Sequence, residues 1–179
     1  MTKRGDKSAV PADRARKILF VPVSTEQQAE MVETLAREIW TGHYTPIIGS
    51  EQVEYMLERF QSEEAILQQI ALGVLYFLIT ADEELVGYIA LHPRSDALFL
   101  SKIYVRSDQR GRGYGKRAVQ FAETLAHARR LKKIILTVNK NNIDSIKAYE
   151  RMGFKNTGSL TQDIGNGFVM DDYKMEKTI

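Results

Sequence analysis

In the first third of the chain, hydrophobic residues recur at intervals of three or four positions. This spacing predicts an amphipathic helix that starts at Ser24, where Gln27 completes a capping box, and that ends near residues 41–42. A loop over residues 44–49 is expected next, followed by a second helix from Ser50 and a short third one. The buried face of the first helix comprises Val32, Leu35, Ala36, Ile39 and Trp40.

From residue 74 onward, short apolar runs separated by turn residues predict strands. Two hairpins are indicated by Asp82-Glu83 and by Gly165-Asn166-Gly167. The predicted strands span residues 18–23, 74–80, 85–91, 97–105, 134–138, 155–160 and 168–175. Pro22 favours a sheet edge for the first strand, because proline cannot donate to a ladder. With helices expected over 113–130 and 143–151, the order of elements predicts an α/β (α+β) fold in which helices pack on one mixed sheet.

The composition excludes several classes of protein. The 179 residues, 44% hydrophobic and 27% charged, are typical of one soluble globular domain, assigned to residues 18–179 behind a basic, disordered tail at 1–17. There is no cysteine, the three histidines lack metal spacing, and no apolar run reaches the roughly 18 residues of a membrane span. We therefore expect a cytoplasmic protein without a metal. The net charge of +2 does not by itself imply nucleic acid.

A strand over residues 98–105 leads into a glycine-rich basic loop and then a helix that begins near its second glycine. Successive backbone N–H groups at a helix start bind anions, most often phosphate, and arginine and lysine side chains suit phosphate oxygens. The loop reads Arg110, Gly111, Arg112, Gly113, Tyr114, Gly115 and Lys116. This stretch therefore predicts a site for a phosphate-bearing ligand.

Spacing separates three glycine-rich motifs. The phosphate loop of nucleotide hydrolases requires Ser or Thr after Gly-Lys, and Arg117 stands there. The dinucleotide fingerprint requires a glycine where Lys116 stands. The third motif, Arg/Gln-x-x-Gly-x-Gly/Ala, is satisfied from Arg110 to Gly115. It resembles the pyrophosphate loop of the GNAT superfamily of N-acetyltransferases.

The surroundings of the loop strengthen this resemblance. An apolar strand precedes it, and Asn142, Tyr149 and the pair Gly153-Phe154 follow at the family's spacing. The resemblance extends from Ile18 to the C-terminus and is closest to the bacterial branch that includes polyamine acetyltransferases. It implies a mostly antiparallel sheet of about seven strands, flanked by about four helices and splayed between the fourth and fifth strands.

The resemblance also implies roles for particular residues. The backbones of Ile103 and Val105, which flank Tyr104, would hydrogen-bond the pantetheine arm of acetyl-CoA, and the 110–116 loop would bind its pyrophosphate. Asn142 would bond the amide arm, cap the short helix, or do both. Tyr149 would protonate the departing thiolate, although its spacing from Ile146 also fits a core tyrosine. Trp40, His43 and Tyr44 lie where the family's acceptor loop does, but helix-end packing explains Trp40 equally well.

The predicted activity is transfer of acetyl from acetyl-CoA to a primary amine, with a small-molecule amine or a polyamine favoured. An alkylammonium must first lose a proton. Five carboxylates are candidate bases, each also explained as an ordinary surface residue, and none is singled out: Glu83, Glu84, Asp96, Asp171 and Asp172.

Other functions remain open at this stage. One is acetylation of protein N-termini or lysines, and another is a non-catalytic acyl-CoA sensor. A third is a nucleic-acid-binding module, suggested by basic residues between Lys102 and Lys133, although no aromatic-interleaved or helix-turn-helix signature accompanies them. Dimers are common in the family, which makes a homodimer a candidate assembly.

Overall fold

The computed structural model describes residues 16–179, and a seven-stranded sheet forms its centre. The strands are β1 (Ile18–Pro22), β2 (Leu75–Ala81), β3 (Glu84–Pro93), β4 (Ala97–Val105), β5 (Lys133–Asn139), β6 (Lys155–Gly165) and β7 (Phe168–Thr178). Their order in the sheet is β1-β2-β3-β4-β5-β7-β6, and every neighbouring pair is antiparallel except β4–β5. The predicted mixed, mostly antiparallel sheet is confirmed, with β1 at an edge.

Five helices cover the two faces of the sheet. They are α1 (Glu26–Ile48), α2 (Ser50–Gln61), α3 (Glu63–Ala71), α4 (Tyr114–Ala128) and α5 (Ile143–Arg151). Helices α1–α3 cover one face of the sheet and enclose a hydrophobic cluster against it. Helices α4 and α5 pack against a second cluster on the opposite face of the sheet. The strands alternate between the two clusters, so the side chains of Tyr88 and Ile89, which are neighbours on β3, are both fully buried on opposite faces.

Helix α1 differs from its predicted bounds at both ends. Its capping box uses Thr25 and Gln28, one residue later than predicted. The predicted end near residues 41–42 and the loop over 44–49 are wrong, because the helix continues through Pro46 to Gly49, which has a φ of 86°. Pro46 removes a single backbone hydrogen bond near the end of the helix. Packing of Tyr44 against the core offsets that loss.

The parallel strands β4 and β5 pair over a short distance only. Residues Ala97–Phe99 of β4 pair with Lys133–Ile135 of β5, and no further residues of these two strands pair with each other. Residues 100–105 of β4 therefore leave one backbone edge without a neighbouring strand. The predicted splay between the fourth and fifth strands is confirmed.

The predicted N-terminal tail falls largely on residues 1–15, which lie outside the described residues. Of its last two residues, Arg16 donates from Nη1 to Glu84 at 2.9 Å, and the Lys17 amide donates to Asp82 at 2.8 Å. These two residues are thus attached to the turn between β2 and β3.

Candidate active site

The gap between β4 and β5 opens into a cavity of about 670 Å³. Its walls come from the end of α1, the second half of β4, the ends of β5 and β7, and α5. A second cavity of about 710 Å³ covers the glycine-rich loop and the start of α4. Both cavities are lined by Ile103, Val105, Arg110 and Tyr149. They form two halves of one channel, and Tyr149 stands where the halves meet.

The glycine-rich loop presents open backbone to the second cavity. Gly111 and Gly113 have φ values of 76° and 83°, in the left-handed region that favours glycine. A Cβ on Gly111, Gly113 or Gly115 would meet no atom within 4 Å, so the space beside each is empty. Among the described residues no side chain caps the start of α4, which leaves its first N–H groups available to an anion. The loop therefore fits a diphosphate.

The side chains of the loop have different positions. Arg110 and Lys116 line the channel, and the Arg110 Nε donates to the Val105 carbonyl at 3.1 Å. Arg112 is exposed and contributes to neither cavity wall. Tyr114 is 3% exposed and packs in the core below α4, so its backbone rather than its hydroxyl faces the loop. The loop is anchored by one buried ring.

The free edge of β4 carries the backbone groups of Ile103 and Val105. The Tyr104 carbonyl faces β3, where it occupies the position that a Cβ on Gly87 would take. Because backbone groups alternate along a strand, the polar groups of Ile103 and Val105 face the gap. Their side chains pack into the cluster beside α4, whereas the Tyr104 side chain enters the opposite cluster.

Aromatic residues close the first cavity on the side of α1. The Tyr44 and Tyr104 hydroxyls are 3.1 Å apart, and the Trp40 ring lies 5.2 Å from the Tyr104 ring. The Trp40 indole N–H donates to the Tyr88 hydroxyl at 3.0 Å. Trp40 therefore packs and hydrogen-bonds in the core, and it also lines the cavity together with Tyr44 and His43. Burial raises the pKa of Tyr44 and lowers that of His43, so both side chains favour their neutral forms.

Tyr149 projects from α5 into the channel. Its ring packs edge-on against Phe154 at 5.6 Å between centroids. Burial raises its pKa above the ordinary value of 10, and the proximity of Tyr44 acts in the same direction. The hydroxyl is therefore protonated at neutral pH and available as a donor.

Asn142 stands at the start of α5 and is 4% exposed. The alternative that its side chain caps this helix is not supported, because the helix start has no side-chain cap hydrogen bond. The side chain lines the cavity beside His43 and Tyr44, where its amide lowers the pKa of Tyr44 and opposes the fall in that of His43. It leaves an amide group facing the channel.

Two charged residues in the first cavity were not singled out from the sequence. Asp172 on β7 is 3% exposed, and its Oδ1 has no hydrogen-bond partner among the described residues. Lys102 on β4 donates to Gln69 at 3.0 Å and to Ser101 at 3.1 Å, and burial lowers its pKa to about 8. The alternation of strands could have identified Asp172. For Lys102 the alternation along β4 is not a guide, because the register between β3 and β4 shifts next to Ser101.

The other four candidate bases lie outside both cavities. Glu84 accepts hydrogen bonds from Arg16 and Gln109, and the exposed Asp171 forms a salt bridge with Lys140. Glu83 stands in the turn between β2 and β3, and Asp96 precedes β4. Their interpretation as surface residues agrees with the structure, whereas for Asp172 it is wrong.

The open edge of β4, the uncapped start of α4 and the half-buried tyrosine between them define the class of N-acyltransferases that use an acyl-CoA. Residues 33–154 match the acetyltransferase (GNAT) family, and the chain belongs to that family. It is an acyl-CoA N-acyltransferase with acetyl-CoA as cosubstrate. Over residues 16–179, no cluster of three or more metal-ligating side chains exists, and no helix is long and apolar enough to cross a membrane.

Individual relatives support this assignment. The chain is 25% identical to spermidine N(1)-acetyltransferase of Thermoplasma acidophilum over 154 residues, which cover 83% of this chain and 92% of that protein. It is 33% identical to peptidyl-lysine N-acetyltransferase YjaB of Salmonella typhimurium over 114 residues, 63% of this chain and 72% of the relative. The crystal structure of PaiA N-acetyltransferase from Thermoplasma acidophilum in complex with coenzyme A shares the fold, with a TM-score of 0.73 at 23% identity over 91% of this chain and 99% of that one.

Proposed function

We propose that the enzyme transfers the acetyl group of acetyl-CoA to a primary amine of a small molecule, with polyamines as the favoured class. The observation that carries the proposal is the two-part channel, in which Tyr149 separates a phosphate-binding half from an aromatic half. The half beside the glycine-rich loop suits the nucleotide end of the cosubstrate. The aromatic half, lined by Tyr44 and Tyr104, suits the acceptor amine.

In this proposal the cosubstrate is held mainly by the backbone. The N–H groups of residues 111–116 and the Arg110 and Lys116 side chains bind the pyrophosphate. The free edge of β4 at Ile103 and Val105 pairs with the pantetheine arm as a neighbouring strand would, and Asn142 bonds an amide of the same arm. An N–H group of β4 near the thioester would stabilise the oxygen as it gains charge, an effect typically worth about 2.7–4 kcal/mol.

Tyr149 acts as the general acid. Attack of the amine on the thioester expels a thiolate, which resembles that of cysteine with a pKa of about 8.5. Burial keeps the Tyr149 hydroxyl protonated, so it reaches the reaction as a donor and gives its proton to the sulfur. Such a group typically contributes about 10²–10⁴ in rate.

The choice of acceptor rests on the relatives and on the cavity. The similarity to spermidine N(1)-acetyltransferase favours a polyamine as the acceptor of this enzyme. The similarity to peptidyl-lysine N-acetyltransferase YjaB keeps protein lysines as a second candidate. The cavity wall contains two acids, Asp144 and Asp172, and two bases, Lys102 and Arg110, so its charge alone does not choose between the two. A cytoplasmic location and a homodimer stay predictions, which fractionation and size-exclusion chromatography would check.

A thiol-release assay with acetyl-CoA tests the proposal. Spermidine, a monoamine of similar length and a lysine-containing peptide are compared, and turnover of the small amines above that of the peptide is expected. Higher turnover of the peptide would replace the small-molecule assignment with the protein-lysine one. If no amine is acetylated while CoA still raises the melting temperature, the chain is a sensor. Salt-sensitive nucleic-acid binding without a CoA response would support the binding-module alternative.

A further inference from the structure

Asp172 is a buried carboxylate that faces the acceptor half of the channel. On β7, the side chains of Phe168 and Met170 pack into the cluster beside α1–α3, whereas Tyr173 packs into the opposite cluster. Alternation along the strand places Asp172 on the α1–α3 face, where it lines the first cavity. It is 3% exposed, and its Oδ1 is without a hydrogen-bond partner in the described part of the chain.

The groups around Asp172 leave its charge uncompensated. Burial raises the pKa of the Asp172 carboxyl, the nearby Thr137 hydroxyl opposes that rise, and Tyr44 on α1 lies near the carboxylate. The neighbouring charges are those of Asp171 and Lys140, which form a salt bridge with each other at the surface. Within residues 16–179 no salt bridge reaches Asp172. A buried acceptor without a donor is unfavourable, and more so when it is charged, so a ligand donor here would be favourable.

Asp172 and the proposed acid, Tyr149, line the same cavity, together with Tyr44. The charge of Asp172 contributes to the raised pKa of the Tyr44 hydroxyl, and Tyr44 contributes to that of Tyr149. This arrangement suits an acceptor nitrogen that enters between Asp172 and Tyr149.

Resting on the proposed function, we propose that Asp172 binds the alkylammonium group of the acceptor and takes its proton. The ammonium first donates to Oδ1, which supplies the missing partner. The proton then moves to the carboxylate, and the nitrogen lone pair is free to attack the thioester carbon. Of the five sequence candidates Asp172 alone lines this cavity, and Asp144 on α5, which also lines it, is exposed.

The proton balance of the step closes. The acceptor loses one proton to Asp172, a carbon–nitrogen bond forms, and the carbon–sulfur bond breaks as the sulfur receives the Tyr149 proton. The second proton of the nitrogen replaces the one given by Tyr149. When the amide leaves, Asp172 releases its proton to solvent, which accounts for the single proton that acetylation of an ammonium produces.

The test compares Asp172→Asn with Asp171→Asn, a control on the adjacent, exposed residue. For an alkylamine at pH 7, D172N is expected to lower kcat/KM by about 10²-fold, whereas D171N stays within about twofold of the native enzyme. The loss in D172N should shrink as the pH approaches the pKa of the amine, and it should be small for a fluorinated ethylamine that is largely unprotonated at pH 7. Asp172→Ser, a smaller neutral substitution, should reproduce these results.

A binding measurement does not depend on turnover. Calorimetric titration of a monoalkylammonium salt into the CoA-loaded protein at pH 7 should give at least tenfold weaker affinity in D172N, with unchanged affinity for acetyl-CoA. Retained kcat/KM, equal losses for both amines at every pH, or unchanged ammonium affinity would each overturn the role of Asp172. Absence of turnover in the native enzyme, with D172-dependent ammonium binding, would instead refute the proposed function alone.

Discussion

Replacement of Tyr149 by phenylalanine removes one hydroxyl from the junction of the channel and leaves the ring against Phe154. Since burial holds this hydroxyl in its protonated form, the native enzyme is expected to keep its general acid from neutral pH to beyond pH 10. The variant must expel an unprotonated thiolate. We expect kcat to fall about 10²-fold, which corresponds to about 2.7 kcal/mol of transition-state stabilisation.

The assay separates chemistry from binding. Steady-state thiol release gives kcat, and calorimetry gives the dissociation constant of acetyl-CoA, which should stay within about twofold because the pyrophosphate loop and the β4 edge are unchanged. Tyr173→Phe is the matched control, since Tyr173 also packs in the cluster beside α4 but lines neither cavity. Its kcat should equal that of the native enzyme.

Two results would refute the reasoning about Tyr149. A kcat within about threefold of native would remove Tyr149 as the acid. A parallel loss in Tyr173→Phe would attribute the effect to packing. A third measurement adds a check on pH: the native kcat should show no loss from ionisation of Tyr149 between pH 7 and pH 10, because its pKa is raised above 10.

The structure supports further predictions at other positions. Gly113→Trp should abolish acetyl-CoA binding by calorimetry, because the side chain would fill the empty space beside the loop and glycine alone suits a φ of 83°; retained binding would show that the loop is misassigned. Gly87→Ala should destabilise the fold by at least about 1–3 kcal/mol in urea denaturation, since the new Cβ meets the Tyr104 carbonyl on a paired strand; a neutral effect would contradict that contact. Lys102→Met should lower the KM of spermidine about tenfold relative to a monoamine, because a like charge in the cavity wall repels the second ammonium, and tenfold corresponds to about 1.4 kcal/mol; equal effects on both amines would show that the second cation does not approach Lys102.

Local chemistry explains which elements the sequence predicts well. Helix α5 has its predicted bounds, because the chain turns at Asn142 before it and Gly153 takes a φ of 93° after it. The turn at Asp82 and Glu83 is also local, as both residues have positive φ values that close a short hairpin. The end of α1 is not a local property. Gly42 and Pro46 suggest a stop, whereas the contact between Tyr44 and Tyr104, 60 residues apart, extends the helix.

The residues of the site also divide into those that the sequence identifies and those that need the three-dimensional structure. The loop from Arg110 to Gly115 is recognisable because its chemistry belongs to a continuous stretch of backbone. Asp171 and Asp172 are adjacent residues of the same type, and one forms a surface ion pair while the other is buried, because they occupy opposite faces of β7. The position of Lys102 is harder still to predict, because the direction of its side chain depends on a register shift between β3 and β4. Residues that act through the meeting of distant strands need the sheet before they can be assigned.

The splay of the sheet relates the fold to the proposed chemistry. Pairing of β4 with β5 stops after Phe99, so the edge of β4 up to Val105 has no strand to satisfy it. The start of α4 and the Oδ1 of Asp172, both without a side-chain partner among residues 16–179, face the same channel. Each would be a defect in a closed core, since buried polar groups are normally paired. Their convergence on one channel, with the protonated Tyr149 between them, is what a site needs if cosubstrate and acceptor are to supply the missing partners together.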